Sequence, residues 1–378
     1  MSVLARARRA GVALAVLGAC GTLHAHGDEQ AAAARLPQRV ALLARAQAAL
    51  ERGDASAALD DFERAAMMLH AADAELGLIR AAMQDGQYRR ALAFCAHTAG
   101  EHTDEADGGA LYAWLLRVGG QSAQASRTLA QVHAYAPEDA LVVAVERALA
   151  TERPVVAAGT LLDASHRMAP WPVVLAAQAA PPASARFASN AVLVDDGATA
   201  LLPSSALPAN ARVWVRNGLG QATAATLDAG DVALASRGLA RLVLQARMPV
   251  GDSKASAGRA PFAGSPGYAI QFGRGDAPAW PTLTQGFLGG LARDSDRRQL
   301  GFGGEAGAAV LDANGVLVGI ATASSDGDAT WLPLPSAASS PSPVAPAPAR
   351  VGLALVAPDQ IYEAGLRRVL QVLVDAGP

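Results

Sequence analysis

From about residue 35 to 152 the apolar positions recur every three or four residues, and at Arg153-Pro154 that rhythm stops. RVALLARAQAALERGD and AALDDFERAAMMLHAA combine this 3.6-residue period with strong helix formers, which predicts paired amphipathic helices. Beyond residue 155 come short apolar runs separated by turn residues: PVVLAA, NAVLVDDG, ARVWVRNG, RLVLQA, GYAIQFG, GVLVGIAT and VGLALVAP. Many short runs punctuated in this way predict a β-sandwich or barrel. Asn314-Gly315 predicts a hairpin with a two-residue type I′ turn, which needs φ > 0 at both positions. Asp359 to Asp375 returns to helical spacing through Ile361, Ala364, Leu366, Val369, Leu370 and Leu373, which predicts a C-terminal helix.

The helical half repeats. Gly53, Gly86 and Gly120 each end a first helix, each followed five residues later by Ala58, Ala91 or Ala125 and four further on by Phe62, Cys95 or Leu129. A period of 33 to 34 residues marks a helical solenoid. With Tyr88 in the second repeat and Pro137 ending the third, the pattern resembles tetratricopeptide repeats. The first repeat lacks such a proline and the third lacks the aromatic. Stacked helix pairs share a core because none buries its apolar face alone. The resemblance implies a concave groove lined by first helices, which would carry Leu43, Gln47, Leu76, Arg80, Met83, Trp114 and Arg117. Trp114, Arg80, Met83 and Arg117 are the candidates to hold an acidic or C-terminal peptide.

In the β half, GGEAGAAVLDANGVLVGI (Gly303 to Ile320) resembles the nucleophile segment of trypsin-like serine proteases of the HtrA type. In a gap-free alignment the family's serine falls on Ala306 and its following glycines on Gly307 and Ala308. NAVLVDDGATALLPSSAL resembles the segment bearing the catalytic histidine, with Ser205 at or next to that position. RGLARLVL resembles the strand bearing the catalytic aspartate, where Gly238 stands; Asp231 lies seven residues upstream. GYAIQFG, TLTQGFLGGL (282–291) and VGLALVAP match further strands in the same order. The resemblance implies a trypsin-like double β-barrel over 155–378, here preceded by helical repeats and without a following PDZ-like module.

A serine protease needs a nucleophile, a base within hydrogen-bond reach and a group that orients the base. Ala306 has no heteroatom, the β half contains only His166, upstream of the first strand, and it has no cysteine. All three catalytic roles are empty on this alignment, so the expectation is a pseudoprotease. The loop Gly304, Glu305, Ala306 retains the backbone of an oxyanion hole. Were the chain a serine-type hydrolase with displaced residues, Ser205, Asp231 and His166 would be its polar set. An envelope holdase is a third alternative. PLPSAASSPSPVAPAPA (333–349) is a Pro/Ser/Ala insert that cannot pack, and SKASAGRAPFAG (253–264) connects the two barrels.

Net charge is −3, with Lys254 the only lysine, which excludes a nucleic-acid footprint of clustered cations. Residues 1–25 are a secretory leader, with Arg6, Arg8 and Arg9 before the apolar run Ala10 to Ala19. It ends either at Leu23-His24-Ala25 for signal peptidase, or at the lipobox-like Leu17-Gly18-Ala19-Cys20, where Cys20 would be lipidated. Export to the periplasm or outer membrane of a Gram-negative-type bacterium follows, with membrane attachment only through Cys20. Cys95 is then alone, and its helical setting makes it a core residue. His70, His97, His102 and His133 share no ligand spacing, so neither metal nor cofactor is expected. The domains are thus 1–25, a repeat array over 35–152 and a barrel pair over 155–378. The function expected is that of a non-catalytic envelope scaffold whose repeats bind a protein or peptide.

Overall fold

The computed structural model describes residues 36–152, 154–156, 159–177, 179–194, 197–208, 210–228, 230–250, 261–292, 297–322, 329–334 and 355–375. The leader with Cys20, the Pro/Ser/Ala insert beyond Leu334, residues 253–260 of the proposed connector and the VGLA of the last predicted strand lie outside these residues.

The first part is an α-solenoid of helix-turn-helix repeats: α1 (36–51), α2 (Ala55–Met68), α3 (Ala72–Gln84), α4 (Tyr88–Glu101), α5 (Ala106–Val118), α6 (Ser122–Tyr135) and α7 (Ala140–Leu149). The repeat glycines have a concrete task. Gly53, Gly86 and Gly120 take φ of +80°, +79° and +83° and end α1, α3 and α5. In each case the glycine N–H and the next N–H turn back to helix carbonyls, as in Gly86 N to Met83 O (3.0 Å) and Gln87 N to Ala82 O (2.8 Å). That pairing satisfies the last carbonyls of the helix and requires a left-handed residue.

The second part is a trypsin-like pair of six-stranded antiparallel barrels. The first uses β2 (Arg186–Val194), β3 (Thr199–Pro203), β4 (Arg212–Asn217), β5 (Gln221–Asp228) and β6 (Leu239–Leu244), with the short β1 (Val173–Val174) added in parallel to β5 and a helical turn, α8 (Val232–Ser236), before β6. The second closes in the order β10-β11-β12-β9-β8-β7, from β7 (Ser265–Gln271), β8 (Thr282–Leu291), β9 (Arg298–Leu300), β10 (Ala309–Asp312), β11 (Leu317–Thr322) and β12 (Thr330–Pro333). α9 (Pro358–Gly365) follows, and then β13 (Val369–Asp375).

β13 corrects the expectation of a single helix from Asp359 to Asp375. Helix α9 covers only the first half. The remainder, VLQVLVD, inserts between β2 and β4 and completes the first barrel, with Val372 opposite Ser189 on one side and Val215 on the other. The run is nearly continuous in apolar residues, so its period does not separate a buried strand from a helix. Position decides: the strand pairs on both edges, and successive residues from Val369 to Leu373, which point to opposite faces, are all buried.

The Asn314-Gly315 hairpin also forms differently. Only Gly315 takes positive φ (+74°). Gly315 N reaches Asp312 O, Asp312 N reaches Val316 O, and the Asp312 carboxylate accepts the N–H of both Asn314 (2.9 Å) and Val316 (3.0 Å). The loop is therefore three residues long, a type I turn closed by a left-handed glycine. The Asp312 side chain supplies hydrogen bonds that a two-residue loop would leave unused.

Both parts share one core. Residues of α1 to α7 and Val156, Leu161, Met168, Trp171, Leu219, Ile270, Leu283, Ile361 and Tyr362 belong to the same buried cluster. The three repeat glycines lie on this seam: a Cβ at Gly53 would meet Val173, at Gly86 Arg367 and Leu219, and at Gly120 Leu283. The Gln84 side chain accepts from Trp171 N and donates to Leu219 O, both at 2.8 Å. Tyr88 and Tyr362 pack edge-on at 4.5 Å, each hydroxyl satisfied by a carbonyl, Leu115 O and Pro281 O. Burial in this seam pushes both phenols above their usual range.

Candidate functional site: the cleft around Gly303 to Ala308

The loop before β10 is a tight turn. Ala308 N donates to Glu305 O (3.0 Å), with Gly307 at φ +84°. Strand β2 of the first barrel holds it: Ala306 O accepts from Asn190 N (3.2 Å) and from Ser189 Oγ (3.1 Å). The Asn190 amide in turn accepts from Phe272 N at 2.6 Å, tying the end of β7 to the same strand. The loop thus lies where the two barrels meet. The N–H groups of Gly304 and Ala306 have no hydrogen-bond partner among the described residues, and both residues are half-buried. The Glu305 N–H donates to Gln271 Oε1. Its carboxylate is buried, 3.5 Å from Arg274 Nε, and so does not project into solvent.

Ser205 sits in a short 3-10 turn, Ser204–Ala206, directly after β3, and is exposed. Ser204 N donates to Gly238 O at 2.9 Å, so the segments matched to the family's histidine and aspartate are neighbours. At these three positions the side chains are a hydroxymethyl at Ser205, a hydrogen at Gly238 and a methyl at Ala306.

The alternative trio does not assemble. Asp231 caps α8 through Leu234 N (3.0 Å) and pairs with Arg241 at 2.9 Å. His166 lies on the linker against the helical array, with Nε2 2.7 Å from Asp107 and Nδ1 3.0 Å from Ser165 Oγ. The hydrogen bond to Asp107 raises the His166 pKa, with Asp139 assisting and burial and Arg80 opposing. A His that gains a partner on folding stabilises the fold fully below its unfolded pKa of about 6.5, and the gain is lost as pH rises through the folded value. Wild-type stability should therefore fall from about pH 6.5 upward by more than that of His166→Gln. Denaturant titrations across that range test this, and identical pH slopes would refute it.

The groove residues occupy different roles from those expected. Met83 and Trp114 are 0% and 1% exposed, inside the shared core. Arg80, 5% exposed, bonds Leu76 O, Gln47 and Ala164 O, and burial lowers its pKa to about 10. Arg117 bonds Ser122 and the carbonyls of Thr151 and Glu152. Thr151, Glu152 and the stretch from Ala164 to Trp171 of the chain itself lie where a bound peptide was expected. The three helical periods of the repeats were legible, but no local signal told that the linker would return over the first helices.

An open cleft does exist nearby, of about 310 Å³, between Arg117 and Gly120 of the repeats and Thr282 to Gln285, Phe302 and Gly303 of the second barrel. It runs from the repeat array to Gly303, at the start of the loop before β10.

The histidines do not stand apart, as their spacing suggested. His70, His97 and His102 converge on Glu75. Sequence spacing missed them because the pairing of α3 with α4 and the connection before α3, not one helix, bring them together.

No family model matches the chain, and no curated protein does. Among solved structures it is similar to the MamO protease domain from Magnetospirillum magneticum (apo form), at 15% identity and a TM-score of 0.30, over 40% of this chain and 87% of that one. At that score the trypsin-like description rests on the two closed barrels themselves and not on the likeness.

Proposed function

We propose that the chain is a pseudoprotease: a trypsin-like domain without catalysis, fused to a repeat array and acting by binding a protein or peptide. One observation carries this reading. After His166 the chain contains no histidine and after Cys95 no cysteine, while a methyl group stands at the nucleophile position, Ala306. A hydroxyl without a base is a poor nucleophile at neutral pH, and loss of one triad member alone costs several orders of magnitude in rate. The proposed binding region is the cleft between Arg117 and Gly303, beside the loop whose N–H groups at Gly304 and Ala306, without partners among the described residues, can donate to a peptide carbonyl. The leader at residues 1–25 supports an exported protein, periplasmic or anchored through Cys20.

The hydrogen-bonded chain Ser165, His166, Asp107 favours a second reading, a hydrolase on the linker. The hydrogen bond to Asp107 raises the His166 pKa, as an orienting carboxylate does in a triad, so the pKa does not decide between the two readings. Treating the full-length protein with a fluorophosphonate probe separates the two. No labelling is expected. Labelling that vanishes in Ser165→Ala or in Ser205→Ala would overturn the pseudoprotease reading and name the nucleophile.

A further inference from the structure

Glu75 lies in the first turn of α3, and its side chain is only 4% exposed. Three imidazoles present the same atom to it. Its Oε1 lies 2.7 Å from His70 Nε2 and 3.5 Å from His97 Nε2, and its Oε2 lies 3.5 Å from His102 Nε2. His70 precedes α3, His97 lies on α4 and His102 ends it. His70 Nε2 and His97 Nε2 face each other at 3.1 Å. One ligand atom from each of His70, Glu75 and His102 falls within a 4.8 Å span.

Hydrogen bonding alone accounts for this arrangement poorly. Two Nε2 atoms at 3.1 Å cannot both donate to each other, and His102 Nε2 is buried with no hydrogen bond. A buried polar atom left unpaired is costly and calls for a partner. A tetrahedral ion with ligand bonds of about 2.0–2.1 Å holds its ligand atoms about 3.3 Å apart. The separations of 2.7, 3.1 and 3.5 Å among Glu75 Oε1, His70 Nε2 and His97 Nε2 bracket that edge.

We propose that His70, Glu75, His97 and His102 bind one divalent transition-metal ion of the zinc class. Three imidazoles and a carboxylate oxygen suit zinc, cobalt or nickel better than magnesium or calcium, which prefer all-oxygen sets. His70, Glu75 and His102 form the set within 4.8 Å, and His97, 3.1 Å from His70 Nε2, is the fourth ligand that would close a tetrahedron and make the site structural. The Thr98 hydroxyl donates to Glu75 Oε2 at 2.7 Å and fixes the carboxylate so that Oε1 faces the ion. The ion fastens the connection after α2 to the start of α3 and the end of α4, tying the two helices of the second repeat to the segment that leads into it. His70 and His97 remain 58% and 46% exposed, which leaves the ion a route from solvent.

The test uses the untagged full-length protein, stripped with chelator and titrated with Zn²⁺ by calorimetry and with Co²⁺ by visible absorption. One ion per chain and the intense bands of tetrahedral cobalt are expected. His70→Ala and His97→Ala, both at exposed positions, should keep the wild-type circular dichroism and weaken binding by about 100-fold or more, and Thr98→Val by about tenfold. A folded wild-type chain that takes up no zinc at micromolar concentration would overturn the proposal. So would wild-type affinity in the His70→Ala, His97→Ala double variant.

Discussion

Ending the chain after Arg368 abolishes the folded state, whereas ending it after Asp375 leaves it intact. β13 is a central strand of the first barrel, paired to β2 from Val369 opposite Val192 and to β4 as far as Asp375 opposite Arg212. Without it the barrel opens, and two strands are left with unpaired N–H and C=O groups along facing edges. Val369, Leu370, Val372 and Leu373 are at most 1% exposed. Each such side chain contributes about 1.5–3 kcal/mol on burial. The four together rival the whole stability of a domain, about 5–15 kcal/mol. Arg216 adds to the loss: it is buried, its pKa is lowered to about 10, and it donates to Gln371 Oε1 at 2.6 and 3.0 Å. Gel filtration and thermal melts followed by circular dichroism report the outcome. A soluble monomer with a wild-type melt after truncation at Arg368 would show that the barrel does not need this strand.

Substituting Gly307 by alanine is the second large effect. An ideal Cβ there would stand 1.7 Å from Asn190 O and 2.4 Å from Asn190 C, and the residue sits at φ +84°. The obstacle is backbone of β2, which is paired to both β3 and β13 and cannot yield as a side-chain tip would. The left-handed conformation alone costs an alanine about 1 kcal/mol, and forced separation of the two barrels adds more. A total of about 4 kcal/mol is expected, a drop in melting temperature of about 10 °C. Gly303→Ala is the control, because nothing lies within 4 Å of a Cβ there. Equal melting temperatures for Gly307→Ala and wild type would mean that the loop is not clamped between the barrels. Gly307 is thus required by packing whether or not the loop ever performed chemistry.

Features that depend on neighbours along the chain can be read from the residues alone. Helix pairs follow from a 3.6-residue period, and the three repeat glycines follow from the need for a left-handed residue to close each first helix. The barrel strands follow from short apolar runs between turn residues, and the chemical poverty of the loop follows from the identity of Ala306. Other features depend on partners distant in sequence and emerge on folding. VLQVLVD has no period that distinguishes helix from strand, and the gap between β2 and β4 makes it a strand. Trp114, Met83 and Arg80 lie on the first helices as their spacing implies, yet the returning linker and the barrels bury them, because the apolar first-helix face gains more from Trp171 and Leu219 than from water. Glu75 and three histidines share no motif, since their convergence is created by packing α4 and the connection before α3 against α3 and not by any spacing within a helix.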